Sequence, residues 1–595
     1  MNPKHRLFFG LFCLIAACVC ACNSDDDKDS LNGGSLTIIN ANIWTGDSVD
    51  PWKTAMTIKN GKIVSMDDAH PRGKVIDAGG RLVVPGMWDG HCHPQSPYTL
   101  TSFGAPGLFN AQTVADVQKI LRQYVEDNPK DKFPRLIGWS KAVIFADGSV
   151  PTRQMIDAVV PDKPVYLVAY NGHEHWANTK ALELAEALYA DPPSMKGDGF
   201  IERDDNGVAT GFLRETEYAA TDGVLLRAVK KVEPYTFEER MAMQADLHNR
   251  LFTRLGVTSI WTKDGDFDVL DVYEGLLADG KLQVRATLDS MYTPYSNIDY
   301  IRKIRYRADS LAASGLPKDF LRCDTIKVFI DLPQQDWIWM IEPYLGTDGQ
   351  QTTGRTAFPI EDFIRQVETA DALGLQVNVS VYGDMAARKT LDVFEEIARK
   401  TGPRDRRHMI EHGQYISVED LPRYGELGVL NSMNPLVSYP KMDFQNHLRK
   451  YMGEKRHDGI FQNYRRLLDA DVKVVNGSDF PLMSSDPLIG IHVLASGTDI
   501  EGNPLGGLWP HKLISVEEAL HTYTTVSAYA NFAEDRLGML KVGYDADFVV
   551  LSENILDPTF SKDRIAWVKV NLTVLNGQVL FEDFSNTPKV IDFLQ

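Results

Sequence analysis

The chain has 595 residues, 44% hydrophobic and 24% charged, with Lys+Arg 62 against Asp+Glu 81 and a formal net charge of −19. This is globular composition; it excludes disordered, fibrous and multi-span membrane chains, and the acidic balance argues against a nucleic-acid binder, which needs clustered Lys and Arg. At roughly 150 residues per domain the length suggests three or four domains, although an α/β barrel holds about 250 or more in one.

Lys4, His5 and Arg6, followed by an apolar run over residues 7–21, have the form of a secretory leader too short to span a bilayer. Cysteines replace the usual small-residue cleavage site. Ile15-Ala16-Ala17-Cys18 and Val19-Cys20-Ala21-Cys22 both resemble a bacterial lipobox. Cys22 is the expected lipidated residue, because polar chain begins directly after it; Cys18, its rival, fits the consensus better locally. Residues 1–21 are then a lipoprotein signal peptide and 22–34, with Asp25, Asp26, Asp27 and Asp29, an acidic tether. This places the protein in the cell envelope, lipid-anchored to a bacterial outer membrane and facing the periplasm or the surface. Only Cys92 and Cys323 remain beyond the leader, so no disulfide framework is expected.

Short strands are expected at 36–39, 55–58, 62–66 and 81–84, separated by Asn-Gly and Gly-Gly turns, and again at 547–551 and 572–581 around Asn576-Gly577. Both chain ends should join in one small β-sandwich, 35–84 with 535–595. Between them, 85–534 reads as a (β/α)8 TIM barrel. Its first strand is expected near 82–89. Seven more follow at 257–261, 284–288, 325–330, 375–381, 408–412, 429–433 and 472–475, each after a helix-period segment. About 150 residues between the first two strands are too many for a loop, so residues 95–245 should form a folded insertion over the barrel mouth. It holds a clear helix at 113–128, capped by Thr113 and Asp116.

In this fold the chemistry sits at the C-terminal ends of the strands. His91 and His93 close the first strand; at i and i+2 they share a face about 7 Å apart, so both imidazoles can reach one metal while Cys92 points away. Asp479 ends strand eight, next to strand one in a closed barrel. It is either a helix N-cap or a metal ligand that takes a proton from water. Lys327 lies mid-strand, either paired with a barrel acid or modified, since an ammonium has no lone pair for a metal. His412 ends strand six. His408-x-x-Glu411-His412 matches a metalloprotease spacing, but on a strand i and i+4 lie about 13 Å apart and cannot share an ion. His173, in a turn of the insertion, is a candidate substrate contact.

Together these features resemble the amidohydrolase superfamily, and within it amidohydrolase family 3 (YtcJ-like metal-dependent hydrolases). The resemblance rests on Val84-Pro85-Gly86-Met87-Trp88-Asp89-Gly90-His91-Cys92-His93, Asn171-Gly172-His173-Glu174-His175-Trp176-Ala177-Asn178 and Gly211-Phe212-Leu213-Arg214-Glu215. It continues in Tyr382-Gly383-Asp384, Glu411-His412, Gly477-Ser478-Asp479-Phe480-Pro481 and Val542-Gly543-Tyr544-Asp545-Ala546-Asp547, in the family's order. It implies a divalent metal, usually zinc, held by His91, His93, a carboxylated Lys327 and Asp479, with His412 toward a second ion. It places His173, Trp176, Glu215 and Asn434 at the substrate. One departure matters: Ser380 stands where the family has its strand-five histidine, and serine is a poor zinc ligand beside imidazole. One ion is therefore expected, with the second site weak or empty.

The expected activity is hydrolysis of a non-peptide carbon–nitrogen bond in a small amide, cyclic amide or N-acyl compound. The alternatives are a deaminase, or a ligand-binding lipoprotein on a barrel that has lost catalysis. Partners are a small-molecule substrate and the membrane through the lipid anchor; no nucleic acid is expected, and a homodimer is compatible with the sequence.

Overall fold

The computed structural model describes residues 35–591 except 68–72, 95–106, 171, 194, 196–198, 220–221, 234, 293–295, 440–443 and 506–509. The expected leader and tether, with Cys22 and Cys18, lie outside the described residues, as does Asn171.

Eight parallel strands form the central sheet: β1 (Met87–Cys92), β2 (Val257–Gly265), β3 (Arg285–Met291), β4 (Leu321–Phe329), β5 (Gln376–Val381), β6 (Met409–His412), β7 (Leu430–Met433) and β8 (Val474–Asn476). Each pairs with the next in sequence order. The sheet curls back on itself at the C-terminal end of β8, where the backbone N–H of Asp479 donates to His91 O (2.7 Å) and that of His93 to Phe480 O (2.7 Å). This is the expected TIM-type barrel.

The first strand differs from expectation. Residues 82–85 do not enter the barrel: Leu82–Pro85 belongs to the terminal sheet, and after Gly86 the chain turns into β1. A continuous apolar run hides such a change of sheet, because periodicity does not register where a strand swaps partners.

Alternation explains the rest of the barrel. On β5, Val377, Val379 and Val381 face outward into the main core with Phe363, Val367 and Leu391 of the flanking helices. The alternate residues, Gln376, Asn378 and Ser380, are also buried, and Asn378 meets Asp289 of β3. The barrel lumen is therefore layered. Trp261, Met409, Leu430 and Val475 make an apolar plug; charged side chains lie above it.

The chain ends supply two mixed sheets. One orders Lys62–Met66, Met56–Lys59, Leu36–Ile39 and Lys74–Asp77; the other runs Gln578–Glu582, Val570–Leu575, Phe548–Leu551, Leu82–Pro85, Asn42–Trp44 and Trp52–Lys53. They share one core that includes Ile38, Ile58, Val83, Phe548 and Leu572. The insertion has its own five-stranded sheet with Arg135–Trp139 at one edge and Phe200–Arg203 at the other. Its helix Val114–Asp127 carries the expected Thr113–Asp116 capping box.

Candidate metal and active site

The strand ends bring His91, His412 and Asp479 together. One ligand atom from each lies within 4.8 Å of the other two, and all three residues are buried. Two of the three reach this point through unusual backbone. Ile410 faces the outer core, so strict alternation would point His412 outward as well; a φ of 65° re-aims its imidazole over the lumen. Asp479 has φ 59°. Such conformations cost on the order of 1–3 kcal/mol each and persist where the surroundings enforce them. For Asp479 the enforcement comes from Asp89, whose carboxylate accepts from the Ser478 N–H (2.9 Å) and hydroxyl (2.5 Å). Gly477 allows the approach: a Cβ there would lie 2.2 Å from the backbone nitrogen of His91.

Each imidazole is oriented by a second group. His412 Nδ1 faces Asn434 Oδ1 at 2.9 Å, and its ring stacks on Tyr382, centroids 4.8 Å apart. His91 Nδ1 faces Glu411 Oε2 at 2.5 Å, and its Nε2 is buried with no hydrogen-bond partner among the described residues. His93 lies beside the triad, with Nε2 3.2 Å from Asp479 Oδ1. Burial holds His91 well below the usual histidine range, helped by the nearby charges of Lys327 and His412; burial also lowers His412 to about 4. Burial alone would raise Asp479, but the His93 hydrogen bond and the facing imidazoles of His91 and His412 hold it far below the usual carboxylate range. Two neutral imidazoles and one carboxylate with lone pairs converging on a buried point fit a divalent cation of borderline softness. Lys327 is buried, with Nζ 5.4 Å from the Phe329 ring centre, and its charge is felt by both His91 and His412. Ser380 is fully buried at the end of β5, opposite Glu411 in register. A hydroxyl there does not suit a second cation beside imidazole.

The insertion contributes His173 and Glu215, which pair at 3.0 Å. Gln334, from the segment after β4, donates to Glu215 Oε1 (2.8 Å) and ties insertion to barrel. Burial opposes the charge on both members of the pair, yet Glu215 raises His173 and His173, then Gln334, lower Glu215. Two expected substrate residues are instead structural. Trp176 is wholly buried in the insertion core against Trp139 and Phe145, and its indole N–H bonds the Thr152 carbonyl. Asn434 is buried behind His412 and orients that ring. His408 is structural too, bonded to Asp371 (3.1 Å).

Sequence reasoning assigned no role to Lys263, Asp289 and Tyr382, and took Glu411 only as part of a motif. Lys263 was within reach: a lone charged residue inside a strand singled out Lys327, but the expected second strand stopped at 261, two residues short.

The fold and this site define a metal-dependent hydrolase of the amidohydrolase type. A model of the amidohydrolase family (amidohydrolase family 3) matches residues 74–581, and the chain belongs to that family. It is similar to the putative amidohydrolase YtcJ of Bacillus subtilis, 26% identical with 86% of this chain and 91% of that protein covered. It is also similar to the N-substituted formamide deformylase of Arthrobacter pascens, 25% identical with 92% and 98% covered. Among solved structures, an uncharacterized metal-dependent hydrolase from Pyrococcus horikoshii shares the fold, with TM-score 0.68, 23% identity, and 89% of this chain and 99% of that one covered.

Proposed function

We propose that the chain hydrolyses a non-peptide carbon–nitrogen bond in a small amide, cyclic amide or N-acyl compound, using one divalent cation, zinc by its ligand chemistry. The observation that carries the reading is the convergence of His91, His412 and Asp479 around the orphaned Nε2 of His91. The named activity of the Arthrobacter pascens relative supports the bond type. A cation bound there supplies Lewis acidity and lowers the pKa of a coordinated water toward about 7.

The chain's own residues do the rest. Asp479, ionised across the neutral range, accepts the proton of the attacking water and returns it to the leaving nitrogen. Asn434 accepts from His412 Nδ1, so the Nε2 lone pair of that ring faces the lumen, where it would help hold the cation. His173, paired with Glu215, faces the substrate from the insertion side, and Gln334 holds that pair in place. Lys327 stands at the same point, its charge bearing on both imidazoles. The lipid anchor at Cys22 belongs to the same proposal and rests on the leader sequence.

Metal content per chain, measured by plasma mass spectrometry, is the first test. About one zinc per chain that is lost in His91→Ala supports the reading and directs a screen of formamides, N-acyl amines and cyclic amides. Two ions per chain overturn the single-cation site. No metal after growth with added zinc overturns the hydrolase and leaves a ligand-binding protein.

A further inference from the structure

Below the triad lies a charged layer that the proposed chemistry does not use. Glu411 Oε2 is 2.5 Å from His91 Nδ1 and its Oε1 is 2.7 Å from Lys263 Nζ. Lys263 also meets Asp289 at 3.2 Å and lies 3.7 Å from the Trp261 ring centre. Asp289 accepts from Trp261 Nε1 at 2.8 Å and from the Asn378 amide, 2.8 Å to each oxygen. The side chains of Glu411, Lys263 and Asp289 are wholly inaccessible. One connected set therefore joins β1, β6, β2, β3 and β5 across the lumen.

Stability alone is a poor reason for such a layer. Barrel interiors are normally filled by branched aliphatic side chains, and replacing buried ion pairs by apolar residues is often neutral or stabilising. What the layer does supply is orientation. A carboxylate only accepts, so the proton of neutral His91 sits on Nδ1 and its Nε2 lone pair points at Asp479 and His412. With two carboxylates and one ammonium, the layer also carries one negative charge in excess directly beneath the triad. His412 has only the neutral Asn434 amide behind it.

We infer that Glu411 is a positioning residue for the cation site: it fixes the tautomer and direction of His91, and Lys263, anchored on Asp289, fixes Glu411. Carboxylate partners behind metal-binding histidines raise ligand basicity and hold the ring, and their loss typically costs about 10–100-fold in metal affinity. The inference rests on the triad being a cation site.

The test is cobalt(II) titration of the purified full-length chain, followed by visible absorption, with the melting temperature of the metal-free protein as a control. Glu411→Gln keeps the size and loses the charge; in the folded protein it is expected to weaken cobalt binding by about 10–100-fold and shift the ligand-field bands, with a lower metal-free melting temperature because Lys263 keeps only Asp289. Asp289→Asn loses the same charge without touching His91; it loosens only the anchor of Lys263 and is expected to weaken binding much less than Glu411→Gln, with bands close to wild type. Should Glu411→Gln fail to fold, Glu411→Asp keeps the charge but withdraws it from Nδ1, and weakened binding is again expected. Wild-type affinity and bands in a folded Glu411 variant overturn the inference. An Asp289→Asn loss as large as that of Glu411→Gln also overturns it, pointing to net charge instead of the contact. A wild-type chain that binds no cobalt removes the cation reading itself, a distinct failure.

Discussion

At the scale of single residues, the site is assembled by departures from regular backbone. His412, Asp479 and Glu215 all sit at positive φ, where a non-glycine residue is strained. For Asp479, asparagine separates chemistry from conformation, because Asn tolerates the left-handed region and keeps the side chain's shape. Asp479→Asn is expected to lower kcat by about 10²–10⁴-fold with little change in melting temperature, read from steady-state rates on whichever amide the screen yields at a metal content matched to wild type, because Asp479 is also a ligand of the proposed cation. A parallel fall in melting temperature would mean that the carboxylate holds the fold and does not move a proton. These residues also show where sequence reading works. The convergence of His91 and Asp479 was legible because a strand end fixes where their side chains can go. The role of Asn434 was not, since whether an amide faces substrate or the back of an imidazole is decided by tertiary packing.

At the scale of elements, the seam between β1 and β8 is the tightest place in the barrel. Gly477→Ala would drive a methyl group against the His91 backbone, 2.2 Å away. Overpacking of this kind costs about 1–3 kcal/mol, and thermal denaturation should show the loss together with weakened metal binding, since His91 itself must shift. A second joint lies on the outside. Asp371, near the end of helix Ile360–Ala372, bonds His408 (3.1 Å), Arg406 (2.8 Å) and Arg404 (2.5 Å). Burial alone would raise its pKa; the His408 and Arg406 bonds outweigh that and bring it to about 2. A folded-state pKa below the unfolded one stabilises at pH above about 4 and loses that contribution as pH falls through about 2. Urea midpoints of wild type and Asp371→Asn should therefore differ most at neutral pH, draw closer below about pH 4 and converge only near pH 2; a gap that widens on acidification would refute the assignment. Strand positions were readable from alternation, and the helix Val114–Asp127 from its cap. The break at Gly86 was not, because both halves of that run are equally apolar.

At the scale of the whole molecule, the terminal sheets are locked to the barrel by buried charge. Arg285, opening β3, reaches Asp547 with Nε at 2.6 Å and Nη2 at 3.1 Å, and also meets Asp545 at 3.2 Å. Asp547→Ala leaves a buried guanidinium short of its main partner; a loss of about 3–5 kcal/mol is expected in urea denaturation, and an effect below about 1 kcal/mol would mean that Asp545 alone suffices. The general plan, a barrel with joined chain ends and an insertion near its mouth, was legible because each part has its own periodicity. The charged layer inside the lumen was not, since no local pattern says which strands face one another. The arrangement of the ends also sets an order in time. Leu82–Pro85 lies between Asn42–Trp44 and Phe548–Leu551 and runs directly into β1. On an emerging chain this strand is paired along one edge only, and its other edge waits until nearly the whole barrel has been synthesised. The first barrel strand thus hangs from an unfinished sheet for most of the chain's synthesis, and the last strands made are the ones that close it.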